Sequence, residues 1–190
     1  MKKWTFLSLF LFLVFSGMSQ TKFEKEERIK ETAVPKPALN FVNSLNFDGK
    51  IKWYKEIGLD TITIEAKTRF EGKKYSIEFK SDGTLEDVEV KMKWRGVPKE
   101  TRKKIDELLF AKYVKYRLEK IQIQYAGTES NLRSFLREGI TPQELTINYE
   151  MVIQTKLNGV YEKFEYLFSQ DGEFISSAQI VLKNTDHIEY

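Results

Sequence analysis

The residues that could perform chemistry are few in this chain, and the first of them is its single histidine. His187 lies between Asp186 and Glu189, so these three side chains could in principle bind a metal ion. A metal site normally needs further histidine, cysteine or carboxylate ligands at defined spacings, and the chain contains no cysteine. We therefore predict no metal site and no cofactor, and we interpret His187 as an exposed residue of the last segment.

Candidate nucleophiles and acid–base pairs are also weak. Ser76, Ser81 and Ser176 lack the Gly-x-Ser-x-Gly motif that presents a hydrolase nucleophile, and no histidine is suitably placed to activate them. Asp82 and Asp171 occupy matching positions and could form a carboxylate pair. Each of them precedes a glycine, however, as tight hairpin turns require. The sequence therefore predicts a protein that is not an enzyme.

The composition argues against further classes of function. The chain of 190 residues has 31 Lys and Arg against 28 Asp and Glu, a formal net charge of +3. Nucleic-acid-binding proteins usually show a clustered basic excess, so no nucleic acid is expected as a partner. Without cysteine there can be no disulfide, and stability must come from a core rich in aromatic residues, which form 14% of the chain.

The N-terminal residues predict export. Met1-Lys2-Lys3 is a basic start, residues 6–15 are apolar apart from Ser8, and small residues precede a cut before Gln20. This apolar run is shorter than the ~20 residues that a transmembrane helix needs. We therefore expect residues 1–19 to be a signal peptide, no transmembrane segment after its removal, and a location in the periplasm or outside the cell.

The rest of the chain divides into a linker and alternating helix and strand segments. Residues 20–36 are rich in Lys and Glu and end in Val-Pro-Lys-Pro, which predicts a short exposed linker. Apolar residues at helical spacing predict a short helix after Pro37, and alternation from Ile51 onward predicts antiparallel strands joined by tight turns. The same order recurs from Pro98, with an additional helix near residues 128–139.

Two parts of the chain resemble each other. Residues 72–83 carry a turn glycine, an alternating aromatic strand and Asp-Gly, and residues 159–172 carry the same features in the same order. We therefore predict an α+β fold of two tandem repeats, each with a helix packed on an antiparallel sheet of about four strands. The first repeat is expected to span residues 37–97 and the second residues 98–190.

Apolar and charged side chains alternate along the predicted strands, which indicates one dry and one wet sheet face. Mixed charges on the second face are typical of solvated cross-strand pairs. The residues assigned to this wet face are Glu65, Lys67, Arg69, Glu78, Lys80, Glu89, Lys91 and Lys93. Leu85 is out of phase with Val88, which predicts either a β-bulge near Glu86 and Asp87 or a late start of this strand.

The order of these motifs is similar to that of a known family. After the Pro-led helix come Lys50-x-x-Trp53-Tyr54, Glu65-Ala66-Lys67, Gly-Lys-Lys-Tyr-Ser-Ile-Glu-Phe at 72–79, Asp82-Gly83 and Val88-Glu89. This order resembles the PepSY-like, β-lactamase-inhibitor-protein-like family of exported bacterial proteins, best over residues 35–125. The resemblance implies a concave surface and a protein that binds or inhibits. It does not identify a target, because the shared motifs are turn and strand residues.

Aromatic residues give the only indication of a contact surface. Trp53 and Tyr54 are consecutive in a strand, so one of them must point away from the core, and Tyr125 occupies the matching later position. Trp94 lies near the end of a strand. Because Trp and Tyr are common interface anchors, these four residues are the candidate partner-binding residues. Tyr54 could equally pack against a helix or the linker.

These observations predict an exported, non-catalytic module that binds a protein or peptide of the cell envelope, for example as an inhibitor of a peptidase or another envelope enzyme. The alternative is a carrier of a small molecule or lipid with a pocket between helix and sheet. An apolar cavity lined by Phe41, Phe79 or Phe168 would favour the carrier. A filled core beneath a polar concave sheet would favour the binding module.

Overall fold

The computed structural model describes residues 20–23, 25–45, 47–58, 61–139 and 142–181. The predicted signal peptide and His187 lie outside the described residues.

The described residues form ten strands, three α-helices and two short 3-10 helices. Strands β1 to β10 are Gln20–Phe23, Lys25–Ile29, Lys52–Ile57, Ile62–Phe70, Lys73–Lys80, Leu85–Lys91, Tyr116–Ala126, Thr146–Leu157, Val160–Ser169 and Phe174–Val181. Helices α1 to α3 are Lys36–Asn43, Lys99–Lys112 and Glu129–Glu138, and the 3-10 helices are Glu31–Ala33 and Trp94–Gly96. Helix α3 lies in the segment where the additional helix is predicted. None of the described helices is both long and apolar enough to cross a membrane.

All ten strands belong to one sheet with the order β1-β10-β9-β8-β7-β6-β5-β4-β3-β2. Neighbours from β2 to β10 are antiparallel, and β1 pairs with β10 in parallel. The predicted fold class, α+β with a separate sheet of about four strands for each of two tandem repeats, is therefore wrong. Strand β6 pairs with β7 across the predicted boundary, which satisfies backbone groups that would otherwise form exposed edges.

The sheet bends until its two ends meet. Strands β1 and β2 lie at opposite ends of the strand order, yet Phe23 and Lys25 are two positions apart in the chain, so their Cα atoms lie within about 7 Å. Strands β10 and β3 therefore flank the same N-terminal stretch, and the sheet curves around an interior. The linker predicted for residues 20–36 is instead two strands and a 3-10 helix that close the sheet, and the side chains of residues 25–33 are mostly exposed.

The helices cover the outer, apolar face of the sheet in two core clusters. In the first, α1 and α3 pack on β3 to β6, and the ring of Phe79 meets those of Phe41 and Trp53 at 6.0 and 6.2 Å between centroids. In the second, α2 packs on β7 to β9, where the rings of Tyr166 and Phe168 stack at 5.7 Å. Because the sheet is continuous, both clusters rest on one scaffold.

Tight turns set the register of the strands. Glu71-Gly72 and Asn158-Gly159 have positive φ at both positions, as two-residue hairpin loops require. Gly83 and Gly172 lie against helix starts: a Cβ at Gly83 would be 2.8 Å from Cβ of Pro35, and one at Gly172 would be 2.9 Å from a carbonyl oxygen of α2. The backbone N–H groups of Gly83 and Gly172 donate hydrogen bonds to the carbonyl oxygens of Lys80 and Ser169, so Asp82-Gly83 and Asp171-Gly172 form hairpin turns, in agreement with the turn interpretation.

Candidate functional site

The four aromatic residues predicted to bind a partner do not form one site. Trp53 is 5% exposed within the first core cluster, and Tyr125 stacks on a ring of α3 at 4.2 Å between centroids. Trp94 is partly buried against the second cluster. These three residues lie on the side that carries the helices, whereas Tyr54 faces the interior of the curved sheet.

The inner face of the sheet surrounds a polar cavity of about 670 Å³, lined by residues of β2 to β9 and the segment before β3. Buried side chains of Glu65, Ser76, Gln122 and Glu150 form its floor. Exposed lysines at positions 50, 52, 74 and 91 lie around its rim. The prediction of a solvated face is therefore wrong for the centre of this surface, where Glu65 is 4% and Glu89 is 2% exposed. Curvature brings the inner side chains together and excludes water from them.

The floor concentrates carboxyl groups of the same sign. The strand register places Glu78 between Glu65 on β4 and Asp87 on β6. Like charges directly opposite each other destabilise a sheet. Burial, followed by the charge of Asp87, raises the pKa of Glu78 well above its ordinary value. The predicted β-bulge falls at the same place, because the register shifts between Glu78 and Phe79.

A second pair of carboxyl groups joins β6 to β8. Glu89 accepts a hydrogen bond from the amide of Gln122 and is hydrogen-bonded to Glu150, which lies 3.2 Å from Nζ of Lys120. Two carboxyl groups can hydrogen-bond to each other only when one of them carries a proton. Burial, and then the charges of Glu150 and Glu78, raise the pKa of Glu89 well above its ordinary value. Burial and the neighbouring negative charges therefore favour the protonated form of Glu89.

Lys67 neutralises acids at the other side of the cavity. Its Nζ forms ion pairs with Glu26 and, at 2.8 Å, with Glu65, and lies 4.8 Å from the ring centre of Tyr54. Burial alone would lower the pKa of Lys67, but hydrogen bonds to Glu26 and Glu65 outweigh it and raise the pKa. The ring face of Tyr54 thus contributes a cation–π contact to a charged wall.

Two groups of carboxylates have a spacing that could suit a cation, since the oxygens within each group lie within 4.8 Å of one another. The groups are Glu26, Glu56 and Glu65, and Glu78, Asp87 and Glu89. Such oxygen ligands suit Ca²⁺ and Mg²⁺. Lys67 already neutralises the first group, and amides of Gln122 and Gln124 donate hydrogen bonds to the second. We assign no metal to either group.

The clustering of these acids was not predicted from the sequence, although a usable signal is present in it. A two-residue turn at Glu71-Gly72 fixes the register of the two strands that flank it and so places Glu65 opposite Glu78. Two acids in a directly opposed pair are unfavourable on an ordinary solvated sheet. Their pairing therefore indicates a special environment.

No family pattern and no curated protein matches this chain, but solved structures of low sequence identity align with most of it. A DUF2874 family protein from Bacteroides ovatus aligns over 77% of this chain and 87% of its own, with 9% identity and a TM-score of 0.50. Another from Bacteroides uniformis aligns over 77% and 89%, with 10% identity and a TM-score of 0.49. A BLIP-like protein from Bacteroides fragilis aligns over 84% and 96%, with 14% identity and a TM-score of 0.47.

At identities this low the likeness concerns the fold alone, and the first of the three structures carries it. The third protein is described as BLIP-like, which is one half of the family resemblance seen in the sequence, but its TM-score of 0.47 carries no argument about this chain. None of these three proteins is described as PepSY-like, so the other half is not supported by them.

Proposed function

We propose that this protein is an exported, non-catalytic module that binds a segment of a protein or peptide in the polar cavity of its curved sheet. The observation that carries the proposal is the cavity itself, whose volume of about 670 Å³ is lined by fixed charges of both signs. Inhibition of a peptidase or another envelope enzyme is one form that such binding could take.

The arrangement of charges favours a partner that carries both signs. The acids of the floor are buried, and the lysines of the rim are exposed, so the cavity presents a basic margin around an acidic centre. A polypeptide segment can supply carboxylates to the margin and hydrogen-bond donors to the centre. Because the sheet holds the buried acids of the floor in place before binding, little conformational entropy is lost at the floor.

The structure gives less support to a carrier with a pocket between helix and sheet. Phe41, Phe79 and Phe168 are 2%, 0% and 0% exposed, and they fill the described core. The large cavity lies on the opposite sheet face, against charged side chains. An apolar ligand there would desolvate carboxyl groups without replacing their hydrogen bonds, which is unfavourable.

Tyr54→Ala is expected to weaken partner binding by about 30-fold, the effect of losing an interface anchor worth ~2 kcal/mol. Immobilised wild-type and variant proteins can be compared for the proteins they retain from a native envelope fraction. Tyr161→Ala is the matched control, because Tyr161 is 67% exposed and lies outside the cavity lining. Equal retention by Tyr54→Ala and wild type, with equal melting temperatures, would refute the cavity as the binding site.

If Tyr54→Ala instead lowers the melting temperature, a rim substitution replaces it as the test. Lys91→Glu changes an exposed side chain that lines the cavity, so it should leave the fold intact. Under the proposal it weakens retention of the same partners, and unchanged retention would count against the cavity.

The proposal that the protein is exported rests on its N-terminal sequence, and intact-mass analysis tests it. The protein recovered from the periplasm or medium is expected to begin at Gln20, because the small residues before it suit signal peptidase. A mass that includes residues 1–19 would contradict this proposal.

A further inference from the structure

The side of the molecule that carries the helices contains a second groove, which is separate from the polar cavity. It lies along α2 and has a volume of about 420 Å³. Trp94 and Phe110 form its apolar walls, and Lys99, Arg102 and Lys103 give it a basic border. Trp94 and the basic side of this helix are both conspicuous in the sequence, and the proposed function uses neither.

One of the two apolar walls is open to solvent. Phe110 is 59% exposed, and its ring contacts Tyr116 at 5.2 Å between centroids. Val114, which follows the end of α2, is fully exposed. Large apolar side chains that are exposed next to one another commonly mark a surface used for binding.

Arg102 provides an independent observation. Its Nε–H is buried and has no hydrogen-bond partner among the described residues. Buried donors are satisfied in nearly all protein structures, so an unpaired one requires an explanation. The planar guanidinium group can form two parallel hydrogen bonds to a carboxylate or a phosphate.

Both acids of the groove already have a partner. Asp106 accepts a hydrogen bond of 2.5 Å from the hydroxyl of Tyr116, and Glu107 lies 3.8 Å from Nζ of Lys103. The three basic side chains of the lining exceed its two acids, so the groove combines aromatic walls with a net positive charge.

We propose that this groove is a docking site for an acidic segment of a partner protein. A carboxylate of that segment binds Arg102, and an adjacent apolar side chain packs between Trp94 and Phe110. An anionic membrane would also attract basic and aromatic residues of a helix. The groove along α2 favours a protruding side chain over a flat anionic surface.

The test uses a capped synthetic peptide of sequence EDLFDE as the probe and the indole N–H signals of the tryptophans in NMR spectra as the readout. The protein that begins at Gln20 lacks Trp4 and keeps two tryptophans, and variants Trp53→Phe and Trp94→Phe assign their two signals. The peptide is expected to shift the Trp94 signal in a saturable manner and to leave Trp53 unchanged, since Trp53 is buried in the first core cluster. The charge-reversed peptide KRLFRK should produce no shift.

Arg102→Gln is expected to weaken binding of the EDLFDE peptide at least tenfold. Arg137→Gln is the matched control, because it removes the same charge from an exposed position on α3 and should change the affinity less than twofold. If Arg102→Gln lowers the melting temperature, Lys99→Gln at the exposed border takes its place, with a weaker affinity again expected.

The proposal is overturned if the peptide causes no saturable shift of the Trp94 signal, or if Arg102→Gln binds it as wild type does. It is also overturned if vesicles of 30% phosphatidylglycerol in phosphatidylcholine shift Trp94 while the peptide does not, because the surface would then serve a membrane. Tyr54→Ala should leave binding of the EDLFDE peptide unchanged. A result that contradicts partner binding in the polar cavity is therefore distinguishable from one that contradicts peptide binding in this groove.

Discussion

Phe79→Ala is expected to lower the free energy of unfolding of the whole molecule by about 3–5 kcal/mol, the usual cost of removing a buried Phe side chain. Phe79 is fully buried and meets the rings of Phe41 and Trp53 at 6.0 and 6.2 Å, so the substitution leaves a cavity between α1 and the sheet. Because β6 pairs with β7, damage in the first core cluster should also destabilise the second. We therefore expect one cooperative transition at a lower denaturant concentration.

Urea unfolding can be followed separately in the two clusters. With Trp53→Phe, the fluorescence of Trp94 reports on the second cluster, and with Trp94→Phe, Trp53 reports on the first. Phe79→Ala should move both midpoints together. Phe110→Ala is the control, since Phe110 is 59% exposed and its loss should cost less than about 1 kcal/mol. A shift confined to the Trp53 signal would show that the two parts of the sheet unfold independently.

Local features of the fold could be predicted from the sequence because their causes are local. A two-residue loop with Glu71-Gly72 sets the hairpin of β4 and β5, and both positions have the positive φ that this loop needs. The out-of-phase Leu85 predicts the bulge that the register of β5 and β6 confirms. In both cases a few adjacent residues determine the geometry.

The continuity and closure of the sheet could not be predicted, because they depend on residues far apart in the chain. No neighbouring residue indicates that β6 will pair with β7 across an intervening helix. In β2, the sequence Lys-Glu-Glu-Arg-Ile indicates an exposed linker, since charged side chains are typical of both linkers and edge strands. Only its pairing with β3 shows that it completes the sheet.

Only a small part of the candidate site could be predicted from the sequence, because the rest also depends on residues far apart in the chain. Alternation correctly separates Trp53 from Tyr54 on opposite faces, and Tyr54 lines the cavity. Alternation does not show whether the second face meets water. Glu65 and Glu89 have the spacing of solvated residues, but they are buried because the whole sheet curves around them. Curvature is a property of all ten strands together.

Glu89→Gln is expected to stabilise the protein at pH 8 by about 1–3 kcal/mol, the range for an unfavourably buried polar group. The glutamine amide can donate a hydrogen bond to Glu150 and its carbonyl can accept one from Gln122, so the variant imitates the protonated acid. Lys120 and Glu78, the other charged groups that act on Glu89, remain in place. The variant therefore differs from wild type only in that residue 89 has no titratable side chain.

The pH dependence follows from the raised pKa of Glu89 in the folded state, which burial causes first and the charge of Glu150 next. Below the unfolded pKa of about 4.3, the carboxyl group is protonated in both states and contributes nothing to stability. As the pH rises above that value, the unfolded chain releases the proton while the folded protein keeps it, so wild-type stability falls. The fall ends once the pH exceeds the folded pKa, where the full penalty is present.

Urea unfolding at pH 5, 6, 7 and 8 measures this difference directly. The stability gained by Glu89→Gln should be small at pH 5 and should grow toward pH 8. Glu144→Gln, at an exposed position outside the cavity lining, should give a difference within about 0.5 kcal/mol at every pH. If Glu89→Gln destabilises the protein at pH 8, or if its effect is independent of pH, the carboxyl pair of Glu89 and Glu150 does not hold a proton in the interior. In that case the acidic floor must be balanced by cationic side chains such as Lys120.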